Sequence, residues 1–292
     1  MSYDGWILLT AALVGLSCGL VGTLLILRRM AMMADAISHT VLIGIVAAYL
    51  LTRQLSGPHM VVGAMAAGLV TALLVEWFHD RGVRQEASIG VVFTTLFAIG
   101  VALIATRVGN VHLDVQHALM GEILFIPWER IELPLLGSVP EATFLLAVVS
   151  AAVLALILLF YKEWKITTFD PALAASLGFP VALMHYILMA MTSMTAVAAF
   201  DAVGAILALA MLITPAAAAY LWTERLSVMM ALACAFGVLS AFPGYYAAYL
   251  LDTSVSGTMA FATGVIFLVS ILFSPRHGIV AKRWKNKRRQ TA

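Results

Sequence analysis

The stretch WILLTAALVGLSCGLVGTLLIL, residues 6–27, decides the fold class of this chain. It runs for 22 residues without a charged side chain, and a helix needs about 20 predominantly apolar residues to cross the hydrocarbon core of a bilayer. The run is too long for the core of a signal peptide, and the acidic Asp4 precedes it where a signal peptide carries basic residues. The sequence therefore predicts that residues 6–27 form a first membrane span.

Similar apolar runs recur along the whole chain of 292 residues. Hydrophobic residues make up 63% and charged residues only 11%, with a mean hydropathy of +1.01, whereas a soluble domain carries about 25% charged residues. The further runs cover residues 31–52, 60–77, 89–106, 141–161, 181–199, 203–221, 226–250 and 257–274. Backbone amides in hydrocarbon must be paired within their own segment, so each run predicts a helix.

These runs predict an all-α, polytopic membrane protein with about nine transmembrane helices, or eight if the short join at residues 199–203 does not separate two spans. We expect a single transmembrane domain over residues 1–275 and a basic tail over residues 276–292. With nine alternating spans, Arg53, Arg107 and Arg130 fall on one side and the other 14 of the 17 basic residues on the opposite side. Lys and Arg are enriched in cytoplasmic loops, which predicts a cytoplasmic C-terminus and an outside N-terminus.

Asp35 and His39 are costly residues for a predicted span, because an ionisable group at membrane depth needs a compensating partner or function. They stand four residues apart, so they share one helix face. On a continuous helix His39 would lie about 16 Å from Arg28 along the axis. A carboxylate and an imidazole on one face form half of a site for a first-row divalent cation. The alternative is an Asp–His hydrogen bond that fastens two helices together.

Further ionisable residues lie in or beside the predicted spans. Asp201, at the outer junction of the sixth and seventh spans, could complete a metal site or form an acidic outer gate, or it could cap the seventh helix. His185, in the inner part of the sixth span, is a metal ligand or a packing residue. We expect Glu76, His79 and Asp80, at the inner end of the third span, to form a solvated loop rather than a site.

A short segment between the fifth and sixth spans has the features of a capped helix. Asp170 is a suitable N-cap with Pro171 at the first helical position, and Gly178 is suited to end the helix. The residues between them are small: Ala172, Ala174, Ala175 and Ser176. Small side chains let a partner protein approach closely. The alternative is a tight connector without a partner.

Some functions are excluded by what the sequence lacks. There is no GxxxxGK[ST] motif, so the chain itself cannot hold ATP in a P-loop, and there is no HExxH zinc motif. Cys18 and Cys234 lie inside apolar runs, and we expect them to be packing residues rather than disulfide or zinc-binding residues. We expect no enzymatic activity in the chain and no nucleic-acid partner.

Five stretches, in order along the chain, carry a family resemblance. They are Leu27–His39; Ile89–Phe93 with Phe97–Gly100; Gln116–Leu124; Phe169–Pro171 with Ala174 and Gly178; and Val203–Leu207 with Leu212–Leu221. Together they resemble the manganese/zinc/iron permease family of ABC importers over essentially the whole length. Met120, where the family commonly has an aromatic residue, and Ala217, where it often has Thr, depart from the pattern.

The resemblance implies a permease of the bacterial inner membrane that pairs with a second permease subunit, identical or different. It implies docking on a dimer of cytoplasmic ATP-binding subunits through the Asp170–Gly178 helix, and an extracytoplasmic metal-binding protein that the Gly121–Leu124 segment is expected to face. It also implies that Asp35 and His39, with a weaker contribution from Asp201, bind the transported metal. The chain itself would hold no cofactor, and ATP would bind to the partner subunit.

The stretch Phe200–Leu207 resembles the manganese/iron branch of the family, which favours manganese as the transported ion. An Asp/His site also accepts zinc and iron, so import of either metal by the same machine is the alternative. A reading from a different class is an ion-coupled secondary transporter, which needs no ATPase.

Overall fold

The computed structural model describes residues 3–53, 58–107, 123–128, 130–133, 137–275 and 278. The helices in this part of the chain are α1 Tyr3–Leu27, α2 Ala31–Thr52, α3 Pro58–Asp80, α4 Gln85–Arg107, α5 Glu141–Leu159, α6 Tyr161–Phe169, α7 Pro171–Ser176, α8 Val181–Val203, α9 Ala205–Trp222, α10 Leu226–Leu251 and α11 Val255–Phe273. Two short strands, β1 Arg130–Leu133 and β2 Gly137–Pro140, lie between α4 and α5.

Nine of the helices in the described residues, all except α6 and α7, are long and apolar enough to cross a membrane. The predicted all-α polytopic class is confirmed. The structure also shows that the join near residues 199–203 separates two spans, because Gly204, with a φ of +80°, lies between α8 and α9. A left-handed backbone angle interrupts a helix, so the chain has two spans there rather than one. The sides of the membrane on which the termini lie stay a prediction.

Helix α1 is the most buried of the spans and packs closely against α10. Its glycines make this approach possible: a Cβ atom on Gly15 would lie 2.6 Å from the carbonyl carbon of Gly237, and one on Gly19 would lie 2.9 Å from that of Ala233. Helices in lipid associate through small residues that let their backbones come close. The sequence shows the spacing of such residues but not their partners on α10.

Helices α2, α3 and α8 meet in the same way. A Cβ atom on Gly63 would lie 2.6 Å from the carbonyl oxygen of Gly44, and one on Gly68 would collide with the side chain of Ser193. The hydroxyl of Ser193 donates a hydrogen bond of 3.0 Å to the carbonyl oxygen of Ala64. The contact fixes α2 relative to the core of the bundle, which matters because α2 carries Asp35 and His39.

Helix α4 is the least buried of the nine spans. Its outward side chains are apolar and exposed in the single chain: Val91, Phe97, Ile99 and Val101. In a membrane such a face contacts either lipid or another subunit, because exposed apolar surface of this extent is unstable in water.

The strands β1 and β2 form a short antiparallel hairpin in which Arg130 pairs with Pro140 and Leu133 with Gly137. The sequence analysis did not predict this hairpin. At the same end of the bundle, the hydroxyl of Tyr3 donates to the carbonyl oxygen of Leu124, and that of Tyr245 donates to Asp4 at 2.7 Å. Part of the Gln116–Leu124 stretch, residues 116–122, lies outside the described residues. The same holds for the basic tail apart from Gly278.

Candidate functional site

Asp35 and His39 lie on one face of α2, as their spacing predicts. The Nε2 atom of His39 is 3.7 Å from the Oδ1 atom of Asp35, and the side chains are 38% and 43% exposed, respectively. Their neighbours Ala36, Ile37 and Thr40 are buried. The two side chains therefore lie at the margin of the packed bundle, open to one side, and not within its core.

The imidazole of His39 is positioned by two aromatic residues of α4. The rings of His39 and Phe93 stack with centroids 5.7 Å apart, and Phe97 meets the imidazole edge-on at 5.8 Å. These contacts restrict the ring and place it among apolar groups. In the sequence, Phe93 and Phe97 belong only to the stretches that carry the family resemblance. Their spacing of four residues on one predicted span does indicate that they share a helix face.

The backbone beside the pair is held by hydroxyl groups. Thr71 of α3 donates a hydrogen bond of 2.8 Å to the hydroxyl of the buried Thr40, and its own oxygen lies 2.7 Å from the carbonyl oxygen of Ala67. Ser38 donates to the carbonyl oxygen of Asp35 at 2.5 Å, but this bond lies within α2 and does not attach the helix to a neighbour. Because Thr40 follows His39 directly, its bond to α3 fixes the part of α2 that carries the imidazole.

Residues 28–30 form a turn, and α2 begins only at Ala31. His39 therefore lies about 12 Å along the axis from the start of α2. The depth of the pair in the membrane stays a prediction.

Asp201 does not join Asp35 and His39. No cluster of three or more His, Cys, Asp or Glu side chains that could hold a metal ion occurs among the described residues. Asp201 lies in the last turn of α8, about 30 Å along the axis from Val181 at the helix start. It does not cap α9 either, because Gly204 occupies the N-cap position. The capping reading is therefore wrong, whereas a weaker role of Asp201 in the metal pathway or as an acidic outer gate stays a prediction.

His185 and Glu76 line a cavity of about 500 Å³ at the end of the bundle that carries α7, called here the α7 end. Its other polar lining residues are Arg28, Arg29, Thr167 and Thr168. Glu76 lies within α3 and accepts a hydrogen bond from the hydroxyl of Tyr186, so the expected loop is wrong for this residue. His79 and Asp80 are exposed in the last turn of α3.

The capped helix predicted at Asp170–Gly178 is present as α7. The Oδ1 atom of Asp170 accepts from the backbone N–H of Leu173 at 2.9 Å, and Pro171 is the first helical residue. Gly178, with a φ of +84°, ends the helix, and the N–H of Phe179 bonds the carbonyl oxygen of Ala174 at 3.0 Å. This is the glycine-terminated helix end that the sequence predicts.

One part of the docking prediction needs correction. Ala174 is fully buried against the chain itself, so it cannot lie on a surface that a partner contacts. The exposed surface of α7 and its end carries Leu173, at 48% exposure, and Leu177, at 60%. The predicted small residues beside them are also exposed: Ala172, Ala175 and Ser176. An i,i+4 leucine pair on an exposed short helix is a more apolar surface than the predicted small-residue face.

Comparison with known proteins identifies the family of this chain. The model of the family described as "ABC 3 transport family" matches residues 5–274. The manganese transport system membrane protein MntD of Bacillus subtilis is 53% identical, covering 97% of this chain and 96% of the relative. The zinc transport system membrane protein TroD of Treponema pallidum is 43% identical over 94% of this chain and 75% of the relative.

A solved structure, PsaBC from Streptococcus pneumoniae in complex with Fab, is similar over 98% of this chain and 96% of that chain, with a TM-score of 0.80 and 32% identity. The family match covers nearly the whole chain, including α2 with Asp35 and His39 and the capped helix α7. The chain is thus a multi-pass membrane permease that belongs to the ABC 3 transport family.

Proposed function

We propose that this chain is the permease of an ATP-driven importer of manganese in the bacterial inner membrane, and that Asp35 and His39 bind the ion during transport. The observation that carries the proposal is the half-exposed carboxylate–imidazole pair on a membrane-spanning helix. An ionisable pair in a span is costly unless it has a function. Its opening to one side of the bundle suits a transient ligand better than a structural bond.

The identity of the metal rests on the relatives and not on the pair. The relative with 53% identity is named for manganese transport, and one with 43% identity is named for zinc transport. Carboxylate and imidazole ligands accept manganese, iron and zinc. The higher identity favours manganese, and zinc or iron import by the same architecture is the alternative.

Two ligands from one chain do not complete a coordination shell, because first-row divalent cations take at least four ligands in proteins. Asp35 and His39 lie at the margin of the bundle, and His39 contacts α4, whose outward face is apolar and exposed in the single chain. A second permease subunit packed against this side would cover the apolar face and supply the missing ligands. The ion would then cross between two subunits rather than through one bundle.

The remaining subunits follow from the same proposal. ATP hydrolysis would occur in a dimer of cytoplasmic ATP-binding subunits that contacts Leu173 and Leu177 of α7. A metal-binding protein outside the cell would deliver the ion to the opposite face. Because the α7 end is then cytoplasmic, this orientation agrees with the distribution of basic residues.

The test is metal-resolved uptake into proteoliposomes that contain the permease and its ATP-binding subunit. We expect ATP-dependent uptake of manganese that exceeds uptake of zinc and iron at equal free concentration. Omission of the ATP-binding subunit is the control. Uptake that persists without that subunit and follows an ion gradient would show a secondary transporter instead. A preference for zinc would support ATP-driven import but contradict manganese as the transported ion.

A further inference from the structure

Arg28 connects the turn between α1 and α2 to helix α6. Its Nη2 atom donates to the hydroxyl of Thr167 at 2.9 Å, and its Nε atom donates to the hydroxyl of Thr168 at 3.1 Å. The guanidinium also lies over the ring of Trp164, 5.5 Å from its centroid. Trp164 is fully buried. Three residues of one helix therefore hold a single side chain of the adjacent turn.

The arrangement is specific for arginine. The hydroxyl oxygen of Thr167 lies 2.7 Å from the carbonyl oxygen of Glu163, to which it donates, so its lone pairs are left to accept from Arg28. Two donors in a rigid fork, together with stacking on an indole, are features that lysine lacks. No carboxylate among the described residues forms an ion pair with Arg28. Burial lowers the pKa of Arg28 to about 10, so this side chain is charged at neutral pH while partly removed from water.

On one side, Arg28 is joined to the metal-binding helix by a rigid turn. The N–H of Met30 bonds the carbonyl oxygen of Leu25 at 2.8 Å, and the N–H of Arg29 bonds that of Ile26 at 3.1 Å. This is a Schellman helix end, with Arg29 in the left-handed conformation at φ +59°. Helix α2 begins immediately afterwards, and Asp35 is its fifth residue. A displacement of Arg28 therefore moves the start of α2 with it.

On the other side, α6 is joined directly to the proposed docking helix. Asp170 ends α6, where its N–H bonds the carbonyl oxygen of Ile166 at 2.9 Å, and the same residue caps α7 through its side chain. No loop lies between the two helices. A force on α7 therefore acts on Thr167 and Thr168 within one helical turn.

We propose that the contact of Arg28 with Trp164, Thr167 and Thr168 is the element that transmits movement of the ATPase-docking helix to the metal-binding helix α2. This proposal rests on the proposed docking role of α7 and the proposed metal role of Asp35 and His39. Arg28 is a positioning residue, since it acts through α2 and touches neither metal nor ATP. Loss of the Arg28 contact uncouples ATP hydrolysis from metal transport, while the docking surface of α7 and the Asp35–His39 pair remain.

The test uses the permease with its ATP-binding subunit in proteoliposomes and measures metal transported per ATP hydrolysed. We expect Arg28→Lys, and separately the double variant Thr167→Val/Thr168→Val, to retain subunit association and ATP hydrolysis. Each lowers the transported metal per ATP by about tenfold, the factor expected from loss of a hydrogen bond to a charged group. The combined variant is no worse than either alone, because both changes remove one shared contact.

The matched control is Arg29→Lys, because Arg29 is adjacent and has no hydrogen bond or ion pair from its side chain among the described residues. It keeps the wild-type ratio of metal to ATP. An unchanged ratio in Arg28→Lys overturns the proposal. So does a loss of ATPase association or of folded protein that accounts for the whole defect, since Arg28 then serves docking or stability. Absence of ATP-driven uptake by the wild-type complex would contradict the proposed function instead.

Discussion

The Nε2 atom of His39 and the Oδ1 atom of Asp35 lie 3.7 Å apart. A hydrogen bond between them would require about 2.7–3.2 Å, so the two groups do not satisfy each other. Two ligand atoms held about 2.1 Å from one cation, at the angles of a tetrahedral or octahedral shell, would be about 3.0–3.4 Å apart. The observed separation exceeds that spacing by less than about 1 Å, which is compatible with the metal role proposed for the pair.

The charge of Asp35 distinguishes a metal site from a structural bond. We expect Asp35→Asn to lower manganese uptake by at least about tenfold, because the amide keeps the shape of the side chain but loses the charge that offsets a dication. Asp35→Ala and His39→Ala should each abolish uptake, with no further loss in the double variant. The measurement is uptake of radiolabelled manganese at matched amounts of folded protein.

Ser38→Ala is the control for the Asp35 and His39 variants, since Ser38 is on the same helix and its hydroxyl bonds only the backbone of α2. It should transport normally. Folded Asp35→Asn protein with normal uptake would contradict a metal role for the pair.

The aromatic contacts of His39 should set the apparent affinity for the metal. Replacing Phe93 with Leu removes the stacked ring at 5.7 Å and leaves only Phe97 to restrict rotation of the imidazole. We expect the KM for manganese to rise by about 3- to 10-fold, with a smaller change in the maximal rate, because groups that orient a ligand act on metal affinity. Phe261→Leu on α11 is the control, because Phe261 is 75% exposed, and an equal effect there would indicate a general packing defect rather than one at His39.

The docking surface should respond to charge on its exposed residues. Leu177→Glu places a carboxylate on the exposed surface at the end of α7, and we expect it to reduce co-purification of the ATP-binding subunit and the metal uptake together. Val83→Glu is the matched control, because Val83 is an exposed apolar residue in the turn between α3 and α4. Normal association of the Leu177→Glu protein with the ATP-binding subunit would contradict the assignment of α7 as the docking element. Ala174→Glu is not informative, since it would disrupt the packing of α7 itself.

Helix packing at Gly22 should tolerate no side chain. A Cβ atom there would lie 1.8 Å from the carbonyl oxygen of Leu212, whereas no described atom lies within 4 Å of one built on Gly90. Gly22→Ala should cost about 1–3 kcal/mol or more through overpacking, seen as a lower melting temperature in detergent. Gly90→Ala should be neutral or slightly stabilising. Equal melting temperatures of the two variants would show that α1 and α9 can separate without loss of stability.

The orientation can be tested directly with reporters. A reporter joined after Lys287 should be active in the cytoplasm, and one at the N-terminus should be active outside the cell, because most basic residues then lie inside. Residues 279–292 are outside the described part of the chain. An N-terminal reporter active in the cytoplasm, with the C-terminal one active outside, would reverse the predicted orientation, and activity of both in the cytoplasm would contradict nine spans.

Local features were predictable from the sequence, and contacts between distant residues were not. The caps of α7 at Asp170 and Gly178 and the shared face of Asp35 and His39 depend on spacings of a few residues, which helix geometry fixes. The bond between Tyr186 and Glu76 joins residues 110 positions apart, and no pattern in either segment shows that they meet. The burial of Ala174 and the rings around His39 likewise depend on how α6, α7 and α4 pack.

Helix α1 is synthesised long before α10, against which it packs closely. Gly15 meets Gly237, so during synthesis α1 enters the bilayer about 220 residues before α10 exists to pack against it. Its hydroxyl groups are hydrogen-bonded within the helix itself. Thr10 donates to the carbonyl oxygen of Trp6, Ser17 to that of Leu13 and Thr23 to that of Gly19. Such back-bonds satisfy hydroxyl groups in lipid without a neighbour. Helix α1 can therefore reside in the bilayer before α10 is inserted and packs against it.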